Sequence, residues 1–140
     1  MLMGWRMEEM KESNTLSDKE IVYFYKLLYR YEKIICKNPK GFKYNKIKKF
    51  VKEHSINLDY TNPVKEHDEK NKIIFTQHIS VCACFIRHIR NAFAHGSIKK
   101  EKNFYTIIDY DKKYKKQTMY GKINKELLPK LIKEMESTRT

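Results

Sequence analysis

Residues 64–94 read VKEHDEKNKIIFTQHISVCACFIRHIRNAFA, a run without proline or glycine whose second half repeats apolar residues at helical spacing. Advancing about 100° per residue, Phe75, Ile79, Cys82, Phe85, Ile86, Ile89 and Phe93 gather on one side. The spacing predicts the main helix of the molecule over this segment, interrupted if at all near Lys70 to Lys72, with Gly96 as its stop. Opposite the apolar stripe lie Arg87, His88, Asn91 and His95, and Arg90 stands on the flank between the two. A cationic helix end of this kind is ordinarily a solvated terminus that complements the helix dipole, so periodicity alone does not make it a site.

Behind the polar group the same face carries Thr76, Ser80, Ala83 and Cys84, all small. No lysine occurs between Lys72 and Lys99, although the solvated sides of the other helical segments are full of them. A face of small residues without lysine is expected to be covered, most economically by a second copy about a two-fold axis. Thr76, Ser80, Ala83, Arg87 and Asn91 are the residues expected at that homodimer interface.

Working towards the N-terminus, Ser55 to Pro63 is a connection, and about 44–54 is a short amphipathic helix with Ile47, Phe50 and Val51 on one side. Ahead of it Ser17 and Glu20 have the spacing of a capping box, and Ile21, Phe24, Tyr25, Leu28, Tyr31 and Ile35 form a helical stripe that Asn38-Pro39-Lys40-Gly41 ends. Residues 1–15 read as a loose arm or short helix. Beyond Gly96 the grammar changes. Phe104 to Tyr110 and Gln117 to Ile123 flank a lysine-rich turn and predict a small β-hairpin. A last helix begins near Asn124, with Pro129 either kinking it or marking its first turn.

The whole, 140 residues, suits one domain over 1–140. No apolar run is long enough to span a membrane and no leader-like block precedes the chain's charged residues, so a cytoplasmic location is expected. Cys36, Cys82 and Cys84 fall in apolar helical stretches and read as small hydrophobes, with no metal site expected of them. The net charge of +13 points to a polyanionic partner. A codon bias towards lysine accounts for part of it, yet the same bias would raise the acids, which number 17 against 30 Lys and Arg. RNA is the expected partner, with Arg87, His88 and the turn lysines Lys112, Lys113, Lys115 and Lys116 as candidate contacts. A solvated turn is the blander reading of those lysines. His54, His67 and His78 are scattered and receive no role, and no carboxylate cluster or phosphate-binding glycine loop appears.

Arg90-Asn91-Ala92-Phe93-Ala94-His95 resembles the Arg-x(4 to 6)-His signature of the HEPN superfamily, with a polar residue after the arginine, late in a long helix and followed by Gly96. The resemblance implies a mainly α fold, an antiparallel bundle of four to five helices with a small β-hairpin after the motif helix. It implies a homodimer whose two motifs share one cleft, and an RNA endonuclease without metal or other cofactor, serving as a toxin or antiphage effector with an antitoxin or defence partner. In that chemistry the ribose 2′-hydroxyl attacks the adjacent phosphate, leaving a 2′,3′-cyclic phosphate and a 5′-hydroxyl. Arg90, Asn91 and His95 become the catalytic candidates: His95 exchanges protons near neutrality, Arg90 neutralises phosphate charge, and Asn91 orients the imidazole or bonds a phosphate oxygen. Relatives silenced by nucleotide transfer carry Tyr two residues after the histidine, whereas this chain has Ser97. A non-catalytic RNA- or nucleotide-binding module, or a protein-interaction partner, is the alternative.

Overall fold

Ser17 and Glu20 close their box as the spacing requires: the Ser17 amide donates to Glu20 Oε1 at 3.1 Å and the Glu20 amide to Ser17 Oγ at 3.2 Å. Helix α1 (Asp18–Arg30) starts there. The computed structural model describes residues 15–30, 42–61, 63–78 and 80–137. The expected arm (apart from Thr15), Cys36 and the expected stop at 38–41 lie outside them. Helix α2 (Tyr44–Glu53) follows, then β1 (Asn57–Asp59), β2 (Lys72–Phe75), helix α3 (Val81–Ala94), β3 (Ile98–Glu101), β4 (Phe104–Asp111), β5 (Lys116–Asn124) and helix α4 (Leu127–Ser137). Pro129 sits in the first turn of α4, where its missing N–H costs nothing.

The strands form one mixed sheet in the order β1-β2-β5-β4-β3, parallel between β1 and β2 and antiparallel elsewhere. This overturns the mainly α bundle: the described residues hold four helices and a five-stranded sheet, an α/β arrangement. The long helix expected over 64–94 is shorter by its first half. Ile73, Ile74 and Phe75 are a buried strand, and 63–71 runs without helix or strand. Four consecutive residues are too few for periodicity to separate strand from helix, and Phe75 happens to fall in phase with the stripe of α3. Ser80, read as a small interior residue, is the N-cap of α3, its Oγ accepting from the Ala83 amide at 3.0 Å.

Because β2 lies second in the sheet and β3 at its far edge, α3 crosses the sheet between them. Ile73 and Phe75 of β2, Tyr105 and Ile107 of β4, Met119 and Ile123 of β5 join Phe85, Ile86 and Ile89 of α3 in one core with α1, α2 and α4. The segment 63–71 lies against the sheet through Tyr120, whose ring meets His67 edge-on at 5.2 Å, and Lys122, whose Nζ is 3.1 Å from Asp68. At Gly121 of β5 the space above the backbone is filled by Ile73 of β2: a Cβ there would stand 2.7 Å from Ile73 Cγ1. Gly121→Ala is therefore expected to cost about 1–3 kcal/mol, read as a lowered urea midpoint.

Glu20 does more than cap. Its carboxylate accepts from Lys100 Nζ at 2.8 Å and from the Tyr105 hydroxyl, tying α1 to β3 and β4. Burial works to raise its pKa, but these bonds and those from Ser17 overcome it and hold it at about 2, against an ordinary 4.5. A depressed carboxyl stabilises the fold above its unfolded pKa and loses that contribution as pH falls towards the folded one. Stability is thus expected to decline between about pH 4.5 and 2, and the part due to Glu20 to be missing in Glu20→Gln, as followed by thermal melts across that range.

Candidate active site

Helix α3 ends on His95 as its C-cap, with Gly96 beyond it at φ +65°. The Gly96 amide bonds the Phe93 carbonyl at 3.1 Å and the Ser97 amide the Ala92 carbonyl at 2.7 Å, the paired closure in which the residue after the cap is left-handed. This sharp stop leaves the exposed His95 imidazole at the helix end, without a hydrogen-bond partner among the described residues. An added Cβ at Gly96 would meet nothing within 4 Å, so Gly96→Ala is strained by its backbone alone. It is expected to cost roughly 1–2 kcal/mol in thermal or urea unfolding.

A cleft of about 350 Å³ opens beside this helix end, lined by Arg87, His88, Asn91 and His95 from α3 and by Asp109, Lys112, Lys113 and Thr118 from the β4–β5 hairpin, with His78 at its margin. The hairpin is expected from sequence, but its role as the opposite wall is not. Asp111 shapes its turn, Oδ1 accepting from the Lys113 amide at 2.9 Å and the Tyr114 amide at 3.2 Å. Lys112 and Lys113 reach the cleft, whereas Lys115 and Lys116, both exposed, do not line it. Arg90 also lies outside the lining, yet its Nη1 donates to Asn91 Oδ1 at 3.2 Å, so the guanidinium stands at the rim.

Under the rim is a buried polar cluster. His88 Nδ1 is 2.7 Å from Asp109 Oδ2, and His88 Nε2 is 2.8 Å from the Thr76 carbonyl oxygen. A carboxylate and a carbonyl only accept, so each ring nitrogen donates and the ring is an imidazolium paired with Asp109. Burial works to raise the Asp109 carboxyl, but the bond to His88 and its charge, with Asn91 and Thr118, overcome this and hold it below its ordinary value. Asn91 Nδ2 donates to the same Oδ2 at 3.4 Å. Between Asp109 and Tyr110 the pairing with β5 slips by one residue, skipping Thr118, whose buried hydroxyl donates to the Asp109 carbonyl at 3.2 Å. Bulges of this kind commonly re-aim a side chain beside a site.

Several expectations change here. His88, expected to touch RNA, is only 5% exposed with both nitrogens engaged, and belongs beneath the site. Asn91, expected to orient His95, instead bonds Arg90 and Asp109. Of the expected interface, Thr76 follows β2 instead of lying on the helix, Ser80 caps it, and Ala83 is buried in the chain's own core. Ala83 and Cys84, the small residues of that face that lie on the helix, are buried within the chain's own core. Arg87 remains exposed at the cleft. Asp109 was missed although a signal existed: in Phe104–Asp111 alternate residues Tyr105, Ile107 and Asp109 are buried, so the aspartate holds an inward slot of an otherwise apolar strand. Cys82 and Cys84 are buried in the core, and no group of three or more His, Cys, Asp or Glu among the described residues could hold a metal ion. Nor is any helix among them long and apolar enough to cross a membrane.

A family model described as HEPN pEK499 p136 matches residues 12–138, nearly the whole chain. No curated protein and no solved structure matches it significantly.

Proposed function

We propose, for a chain that belongs to the HEPN pEK499 p136 family, that it is a metal-independent RNA endonuclease of a toxin or antiphage type. The observation that carries this reading is the cleft itself, which the exposed His95 lines together with Arg87, Lys112 and Lys113. Three cations suit a polyanion that passes close to a group able to exchange protons. RNA brings its own nucleophile. The 2′-hydroxyl loses its proton as its oxygen bonds the adjacent phosphorus, and the P–O5′ bond breaks; the 5′-oxygen takes up a proton as it leaves. His95 serves one of these two proton transfers, and Arg90 stabilises the charge gathered on the non-bridging oxygens.

One observation favours a second reading, binding without turnover: within a single chain Arg90 stands at the rim while His95 lines the cleft. A homodimer that brings Arg90 of one copy to His95 of the other reconciles the two, and we include it in the proposal. The test is incubation of RNA with purified protein in EDTA, beside His95→Ala and Arg90→Ala, with the cut ends analysed. Cleavage to 2′,3′-cyclic phosphate ends by the wild type alone is expected. Cleavage that EDTA abolishes, or that His95→Ala retains, overturns the mechanism; salt-sensitive retention of intact RNA points to the binding module.

A further inference from the structure

The buried pair under the motif is not explained by stability. Ion pairs taken out of water gain little over apolar residues of the same shape, because desolvation offsets their attraction. Here the pair lies directly below the amide of Asn91, between the core and the rim. From the inside outwards the hydrogen bonds run in one direction of dependence. The Thr76 carbonyl receives His88 Nε2–H, Asp109 Oδ2 receives His88 Nδ1–H and also Asn91 Nδ2–H, and Asn91 Oδ1 receives Arg90 Nη1–H.

Asn91 is the member that can fail. An amide is nearly symmetric in shape, and rotation by half a turn exchanges its oxygen and nitrogen. Rotated, it would present N–H groups to the guanidinium, which only donates, and an oxygen to a carboxylate, which only accepts. Asp109 forbids this orientation because an ionised carboxylate has no proton to give. The imidazolium of His88 behind it supports the ionised form inside the fold. Arg90, one residue along the helix and otherwise directed about 100° away from Asn91, is thereby drawn towards the cleft.

We infer that Asp109 is a positioning residue for Arg90, acting through the fixed amide of Asn91 with His88 as its buried counter-charge. The inference rests on the ribonuclease reading for its catalytic meaning, but its geometry is measurable without turnover. In protein labelled with 15N-arginine, the Arg90 Nε–Hε signal, assigned by its disappearance in Arg90→Lys, is expected to be displaced from the solvent-exposed arginine position. It should move to that position in Asp109→Leu and in His88→Leu with Asp109→Leu, the second variant serving if the first does not fold; Asn91→Ala, which removes the acceptor itself, marks the position of a released Arg90. An Arg90 signal unmoved in a folded variant overturns the inference whatever the enzyme does.

Turnover supplies the second arm. Asp109→Leu, which leaves Asn91 no acceptor, is expected to lower kcat roughly tenfold, equivalent to the loss of about one charge-assisted bond, with KM changed by less than about twofold. Exchanging the two residues, Asn91→Asp with Asp109→Asn, restores the order of donors and acceptors and should recover much of kcat. A purely structural Asp109 predicts the opposite: activity lost in step with folded protein, and no recovery on exchange. Failure of the ribonuclease reading would show as an inactive wild type with the arginine signal still displaced.

Discussion

His95→Ala is expected to reduce RNA cleavage by about 10²- to 10⁴-fold, the contribution usual for a positioned proton-transfer group, while leaving the fold intact. The second half of that expectation follows from placement. His95 is an exposed C-cap residue, and the bonds that close the helix come from the backbone of Gly96 and Ser97, not from the imidazole. Thermal melts of the variant should therefore superimpose on those of the wild type. The proposed sharing between two copies adds a sharper check. Arg90→Ala and His95→Ala chains, each inactive alone, should regain on mixing about a quarter of wild-type activity, since half of randomly paired dimers carry one complete site of two. No recovery in a mixture shown to exchange subunits would place both residues in the same chain's site.

Asp109→Ala is expected to cost about 3–5 kcal/mol, the usual result of removing one partner from a buried ion pair, and so a large share of a typical domain's stability. The charge of His88 is then left among Phe75, Thr118 and the Thr76 carbonyl with nothing to balance it. Replacing both members with leucine, His88→Leu with Asp109→Leu, should recover most of the loss, because the penalty lies in the orphaned charge and not in the missing attraction. Urea unfolding of the three proteins checks this. If the double variant is no more stable than Asp109→Ala, the cluster holds the fold through something other than that pairing.

The elements governed by local chemistry were legible in the sequence. Ser17 and Glu20 mark α1, the amphipathic run marks α2, the strand-like runs on either side of the lysine turn mark the hairpin, and Gly96 marks the end of α3. Most of what escaped depends on partners remote in the chain, although β3, only four residues long, escaped with its partner β4 directly after it. Lys72–Phe75 becomes a strand because β5, more than forty residues later, pairs with it, and Asn57–Asp59 becomes one because β2 does. Neither segment is long enough to declare a period of its own. The motif residues were legible by resemblance, but their support was not: Asp109 and Thr118 reach the site only through the pairing and the bulge of β4 on β5. The absence of lysine from 73–98 marks burial within the chain itself: Phe75, Cys82, Ala83, Cys84 and Phe85 all lie in its core.

The order of the strands also sets a schedule for synthesis. β5 occupies the middle of the sheet yet is made last among the strands, after the whole of the motif helix. Until it leaves the ribosome, β2 and β4 have no common neighbour, and the wall that carries Lys112, Lys113 and Thr118 does not stand. A nascent chain that already carries Arg90 and His95 therefore lacks the cleft beside them until β5 has emerged and paired.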